Sequence, residues 1–344
     1  MKFKTSSIVG FLVFALVLGG IVVGQEQKKG GGGERGFPQP GPEKEVKIMA
    51  IPGVIADGAK WKLVWQGPDN ADGLVGTKDG GILFAQEQPS TVGMLDKNDK
   101  FSIFARDTHG TGALGIDAMG RVLGVERTCS DPGGNPEACH ENAELIVIAP
   151  KRETLAKEYN GKPFWRMGEL ALDSKGGVYF TDDNGTYFMN KAGKVSLVAE
   201  KTVRTNGMIL TRDEKNLIVT NGKTLVAFDI KPDGTTSNQH DWAKLEAGGN
   251  GDGMTIDNDG RIYVSTGDAG IQVFAADGKY VGVIPLPRSA SSVAFSGPNK
   301  KVLYGKGAGM KNPDGTEYRV QGRNNAKAIY RVDTIAQGFT KRAK

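Results

Sequence analysis

Asp252-Gly253-Met254-Thr255-Ile256-Asp257-Asn258-Asp259-Gly260-Arg261-Ile262-Tyr263-Val264 reads as a short apolar strand, a tight polar turn and a second apolar strand. Asn, Asp and Gly make such turns because they tolerate left-handed backbone or hydrogen-bond their own main chain. The same unit recurs at Asp72-Gly73-Leu74 to Phe84, Gly112-Ala113-Leu114 to Leu123 and Gly168-Glu169-Leu170 to Phe180. It returns at Asn206-Gly207-Met208 to Val219 and at Ser291-Ser292-Val293 to Tyr304. In chain order the starts lie 40, 56, 38, 46 and 39 residues apart. A period near 40 built of short strands is the signature of propeller blades, so six copies predict an all-β, six-bladed β-propeller. That fold would set Asp72, Gly112, Gly168, Asn206, Asp252 and Ser291 around one central channel.

A second repeat supports the count. Each unit is followed by another apolar stretch: Val92 to Leu95, Glu144 to Ile148, Tyr187 to Met189, Leu225 to Ile230, Ile271 to Phe274 and Ala328 to Val332. Several lead into turns such as Ala276-Asp277-Gly278-Lys279, a hairpin signal between alternating apolar residues. Trp61 to Trp65 reads as a strand without a blade of its own. Pairing it with the last blade would close the ring and remove an exposed sheet edge.

The ends read differently. Lys2 and Lys4 lead into an apolar run from Ile8 to Val23, which ends at Gly24 before Gln25-Glu26-Gln27. This pattern predicts a signal peptide over residues 1–24 and an exported, periplasmic or secreted protein. The run is shorter than the ~20 residues of a spanning helix, and an uncleaved signal anchor is the alternative. After cleavage no stable membrane association is expected. Residues 25–58, rich in Gly and Pro from Lys28 to Lys44, read as a flexible linker. Residues 59–335 read as one propeller domain and 336–344 as a basic tail. The chain carries 44 Lys and Arg against 39 Asp and Glu, with no dense basic run, so nucleic-acid binding is not indicated. The expectation is a monomer.

Two cysteines, Cys129 and Cys139, bracket a turn-rich insertion that lengthens the second interval. In an exported chain they are expected to form a disulfide, with two free thiols in a mobile loop as the alternative. Their spacing and the single nearby His140 do not make a zinc site.

No Gly-x-Ser-x-Gly elbow, His-Glu-x-x-His or phosphate-cradling loop is present, and the only histidines are His109, His140 and His240. Asp257-Asn258-Asp259-Gly260 resembles part of a calcium loop but falls where the repeat requires a hairpin turn. The channel positions carry the chemistry. Asp72, Asn206 and Asp252 are equivalent by repeat, and Glu169 stands one place along in the third copy. Carboxylates converging on one channel repel unless a cation sits among them. An all-oxygen donor set points to Ca²⁺, with Mg²⁺, Mn²⁺ and Zn²⁺ as alternatives. Asp-Gly and Asn-Gly are also ordinary turn pairs, so a purely structural reading of the repeat stays open.

Arg204-Thr205-Asn206-Gly207-Met208, Gly251-Asp252-Gly253-Met254 with Arg261-Ile262-Tyr263-Val264, and Ser292-Val293-Ala294-Phe295 with Leu303-Tyr304 carry a resemblance. They resemble the SMP-30/gluconolactonase/LRE-like family, which also takes in regucalcin and drug-responsive lactonases. The resemblance runs over about residues 60 to 335. It implies a six-bladed propeller with a divalent metal in its channel and hydrolysis of a lactone. It implies Asn206 and Asp252 as metal ligands, Asp252 also as general base, and Arg166 as a contact to substrate oxygens. Two positions depart from the family's pattern. Asp72 stands where the family has Glu, and Gly168-Glu169 stands where it has Asn-Asp. Glu169 is therefore expected to reach the metal or to touch substrate or a bound water. The reading is an exported, metal-dependent hydrolase of a lactone or related ester. Its rival is a non-catalytic propeller that binds a ligand or protein, with a structural ion or none.

Overall fold

In the computed structural model of the chain, residues 38–127, 142–200, 203 and 205–343 are described. Their strands form six four-stranded antiparallel sheets, with one added two-stranded hairpin, Glu158–Tyr159 with Lys162–Pro163. Blade 1 runs through Asp72–Gly76, Ile82–Gln86, Thr91–Leu95 and Phe101–Arg106. Blade 2 holds Ala113–Ile116, Val122–Val125, Leu145–Ala149 and Glu153–Ala156. Blade 3 holds Leu170–Leu172, Val178–Asp182, Gly185–Met189 and Val195–Glu200. Blade 4 holds Met208–Leu210, Asn216–Asn221, Thr224–Ile230 and Thr236–Lys244. Blade 5 holds Met254–Ile256, Ile262–Ser265, Ile271–Phe274 and Tyr280–Ile284. Blade 6 joins Ala290–Ser296, Val302–Ala308 and Lys327–Asp333 to Lys62–Gly67, the first strand of the domain. That first strand pairs antiparallel with the last, Leu63 opposite Tyr330, and closes the ring as its orphan sequence predicts.

The burial pattern explains why the inner strands are apolar throughout. An inner strand is covered on both faces by neighbouring blades, so Leu170–Leu172 and Met254–Ile256 are buried at every residue. The outermost strand Phe101–Arg106 alternates between exposed and half-buried. Apolar clusters fill the gaps between blades; Leu123 and Val125 of blade 2 pack with Leu170, Phe180 and Tyr187 of blade 3. The resemblance of Asp257-Asn258-Asp259-Gly260 to a calcium loop resolves as a hairpin turn. Asp257 Oδ1 accepts the amides of Asp259 and Arg261, and Oδ2 accepts Arg261 Nη1 at 2.7 Å and the Tyr263 hydroxyl at 2.9 Å. Those bonds leave no oxygen of Asp257 for an ion.

Two boundaries move. Of the span read as a linker, residues 48–55 belong to the core: Ile48, Ile51, Val54 and Ile55 are buried between blades 5 and 6 with Tyr263, Ile284 and Val293. Upstream, Lys44 N donates to Pro287 O, and Glu43 meets Lys311 at 2.6 Å and the Tyr330 hydroxyl at 2.8 Å. Composition there suggested flexibility, but four apolar side chains at a ready-made groove are enough to seat the segment. The basic tail is also seated. It crosses the end of the channel where the inner strands finish, with Phe339 N on Ile256 O and Arg342 Nη2 on Leu210 O at 2.6 Å. Lys300 Nζ holds it from below through the carbonyls of Phe339 and Arg342. Residues 1–24, Cys129 and Cys139 lie outside the described residues.

Candidate active site at the channel mouth

Each inner strand begins at the opposite end of the channel, and the residues identified by repeat stand there side by side. Gly207 shows how tightly: a Cβ on it would lie 2.0 Å from the carbonyl oxygen of Asp252. The Gly that follows Asn206 is therefore needed for blades 4 and 5 to meet. Asp72 and Asp252 behave alike. Each turns one carboxylate oxygen, Oδ1, onto the amide of the next glycine, at 2.9 Å in both cases. Asn206 is anchored by its backbone N–H on Thr220 Oγ1 at 2.8 Å, and its side chain is exposed. Glu169 is buried; its Oε1 accepts the amide of Leu170, and its own N–H donates to Thr181 Oγ1.

Gly112 and Gly168 bring no side chain to the ring, and Arg127 takes their place. A Cβ on Gly112 would meet Arg127 Nε at 2.2 Å, so glycine is what lets the guanidinium cross. Arg127 Nε donates to Met167 O and Nη2 to Gly168 O, both at 2.9 Å, while Nη1 pairs with Glu87 Oε1 at 2.6 Å. Glu87 also accepts Asn70 Nδ2 at 2.9 Å. One side chain thus ties blades 1, 2 and 3 together at the mouth.

Lys306 is the second unexpected member. In blades 3, 4 and 5 the residue facing the second position of the inner strand is Thr181, Thr220 or Ser265. In blade 6 the residue at that register, opposite Ser292, is Lys306. Its side chain is 2 % exposed and its Nζ lies 2.9 Å from Asp72 Oδ1. The fold needs only a small residue there, so the lysine serves the mouth.

These charges act on one another. Burial works against ionisation of Asp72, but Lys306 and then Arg127 hold its carboxyl below the usual range. Asp252 goes the other way: burial, then the neighbouring Asp72, push it up to about 7, with Lys306 opposing and Glu169 adding. Burial disfavours the Arg127 charge, yet Glu87, Asp72, Glu169 and Asp252 together hold that proton more tightly than usual.

No group of three His, Cys, Asp or Glu among the described residues is arranged to hold a metal. A cation here would therefore rest on two carboxylates and the Asn206 amide. The donors fit that role. Among the described residues, Asp72 Oδ2, Asp252 Oδ2 and the Asn206 side chain take no hydrogen bond, and all three are hard oxygen donors suited to Ca²⁺. The raised pKa of Asp252 reflects burial and the neighbouring negative charge of Asp72, which Lys306 only partly offsets.

Arg166 stands apart on the rim, 54 % exposed, with Nε 3.9 Å from Asp183 Oδ2. Sequence reasoning brought Asp72, Asn206, Asp252 and Glu169 to the mouth and missed Glu87, Arg127 and Lys306. Lys306 was open to discovery, since lining up the blades by register shows a lysine where three blades carry a hydroxyl. Arg127 and Glu87 sit just past the ends of strands and gave no such signal.

Known proteins agree with this architecture. Residues 127–305 match the SMP-30/gluconolactonase/LRE-like region. A gluconolactonase of Zymomonas mobilis is 26 % identical over 264 residues, covering 67 % of this chain and 71 % of that protein. A pentonolactonase of Haloferax volcanii is 29 % identical over 208 residues, covering 58 % and 67 %. A solved gluconolactonase from Xanthomonas campestris superposes with a TM-score of 0.67 at 17 % identity, over 87 % of this chain and 99 % of that one. At such identity the superposition speaks for the fold alone. The matched region exceeds half of the sequence and contains Asn206, Asp252 and the Gly168-Glu169 departure, and on that basis the chain belongs to the SMP-30/gluconolactonase/LRE-like family.

Proposed function

We propose that the channel mouth hydrolyses a lactone or related ester, with a divalent cation, Ca²⁺ foremost, held by Asp72, Asn206 and Asp252. The observation that carries this reading is the pair of Asp-Gly turns, each leaving one carboxylate oxygen without a hydrogen bond among the described residues, at the mouth where the inner strand after Asn206 also begins. Relatives named gluconolactonase and pentonolactonase support the substrate class. Bound there, such a cation would polarise a carbonyl and lower the pKa of a bound water.

The chain's own residues do the rest. Asp252 takes a proton from the attacking water as the new C–O bond forms. Without a cation its carboxyl is held up to about 7, and a cation bound beside it would favour the ionised form that accepts the proton. The proton passes to the ring oxygen as the ester bond breaks, leaving an open hydroxy acid. Buried Glu169 keeps Asp252 basic, and Lys306 keeps Asp72 ionised. A cleft of about 740 Å³ over Asp252, Thr266 and Ser291 leaves room for a small ring. Arg166, on the rim beside Asp183, is the candidate contact to substrate oxygens. The reading includes export with removal of residues 1–24 and a disulfide between Cys129 and Cys139.

The test is a panel of lactones and esters assayed in EDTA and with added Ca²⁺. Hydrolysis that EDTA abolishes and Ca²⁺ restores is expected. Equal rates in EDTA would remove the cation from the reading. No hydrolysis of any member would leave the binding propeller in its place.

A further inference from the structure

Lys327 begins the third strand of blade 6, one strand out from Lys306. It stands opposite Ala308, two residues beyond Lys306 on the same face of the sheet. Ala308 in turn lines the cleft that holds Asp252 and Ser291. Lys327 therefore stands on the Lys306 face of blade 6, within electrostatic reach of Lys306 and Asp72. Its one hydrogen bond among the described residues goes to the carbonyl of Asn325, at 2.8 Å. No carboxylate of the described residues lies within the 4.0 Å of an ion pair. Lys306 and Lys311 of this blade each have a carboxylate partner, Asp72 and Glu43. A half-buried ammonium with only a carbonyl for company lacks a counter-charge. Burial and then Lys306 pull its pKa down to about 8, and Asp72 and Glu87 oppose this only in part.

We propose that Lys327 is the anchor of an anion subsite, and that the preferred substrate is a lactone bearing an additional anionic group, a carboxylate or a phosphate ester. This rests on the hydrolase reading for the word substrate, but the subsite itself does not. An anion arriving there gives Lys327 a counter-charge, with the ring ester directed toward Asp252 of the neighbouring blade 5. Lys306 stays engaged with Asp72 and contributes its field rather than a contact. Neutral lactones would lack the anchor.

Two measurements separate the subsite from the activity. The first is calorimetric titration of the whole protein with inorganic phosphate and with glutarate, in EDTA so that no metal bridges the anion. Binding of either, weakened tenfold or more in Lys327→Met and kept in Lys327→Arg, is expected. The anion that binds tells the carboxylate from the phosphate subsite. The second is kcat/KM on matched neutral, carboxylated and phosphorylated lactones. The wild type should favour an anionic member at least tenfold, and Lys327→Met should reduce that ratio toward one. If neither anion binds the wild type, or if Lys327→Met, with an unchanged melting temperature, binds as well as the wild type, the subsite is refuted. Anion binding that depends on Lys327 with no lactone hydrolysed would keep the subsite and sink the hydrolase reading. Hydrolysis with no anionic preference would do the reverse.

Discussion

Replacing Lys306 with Met keeps the length of the side chain and removes its charge from a site where it is 2 % exposed. At 2.9 Å from Asp72 Oδ1, the attraction is about 6 kcal/mol at an effective dielectric of ~20. Burying the ammonium offsets much of that. Breaking such a pair leaves one charge uncompensated and costs about 3–5 kcal/mol. Asp72 is 23 % exposed and keeps some water, so the lower end, about 3 kcal/mol, is expected. Asp72→Asn alone should destabilise for the mirror reason, and the double variant should recover part of both losses. Urea unfolding of the four proteins gives the coupling energy, expected near 2 kcal/mol, within the range of groups in one ion-pair network. A coupling below about 0.5 kcal/mol, typical of independent sites, would show that Lys306 does not hold Asp72 and that the charge balance drawn for the mouth is wrong.

Asp252→Asn removes the proposed base and one anionic donor, and should abolish lactone hydrolysis while the far-ultraviolet circular dichroism stays that of the wild type. The raised pKa of Asp252 fixes a sign for pH. A cation must displace its proton, so calorimetric Ca²⁺ affinity of the metal-free protein should rise as pH increases through about 7. Because Glu169 pushes that pKa up, Glu169→Gln should move the midpoint of this rise to lower pH; an upward move would contradict the assignment. At the other end of the channel, Arg342→Ala loses bonds to Leu210 O and Glu214 and should cost about 2 kcal/mol in urea unfolding. A tail that contributes nothing would show no change. Mass spectrometry of the unreduced protein should find Cys129 and Cys139 resistant to alkylation until reduced.

Blade number and the hairpin pairings within each blade were legible in the sequence because a propeller is built locally, and the orphan strand before the first repeat pointed to ring closure. Within most blades each strand pairs with the next one along, so hairpin turns such as Asp257 to Gly260 and the spacing of apolar runs state the pairing outright. The same locality placed the backbone of Asp72, Asn206 and Asp252 at one mouth. What a repeat cannot state is where a long side chain ends. Arg127 leaves blade 2 and bonds to blades 1 and 3, and Lys306 leaves blade 6 for Asp72, contacts across 40 and 234 residues of sequence. Only the assembled ring brings those groups together, and only its low-dielectric mouth raises the pKa of one Asp and lowers that of its neighbour. The seating of Ile48, Ile51, Val54 and Ile55, and of the basic tail, was decided the same way. A stretch whose composition suits a linker becomes core once blades 5 and 6 offer it a groove, because burial depends on the surface available and not on the segment alone.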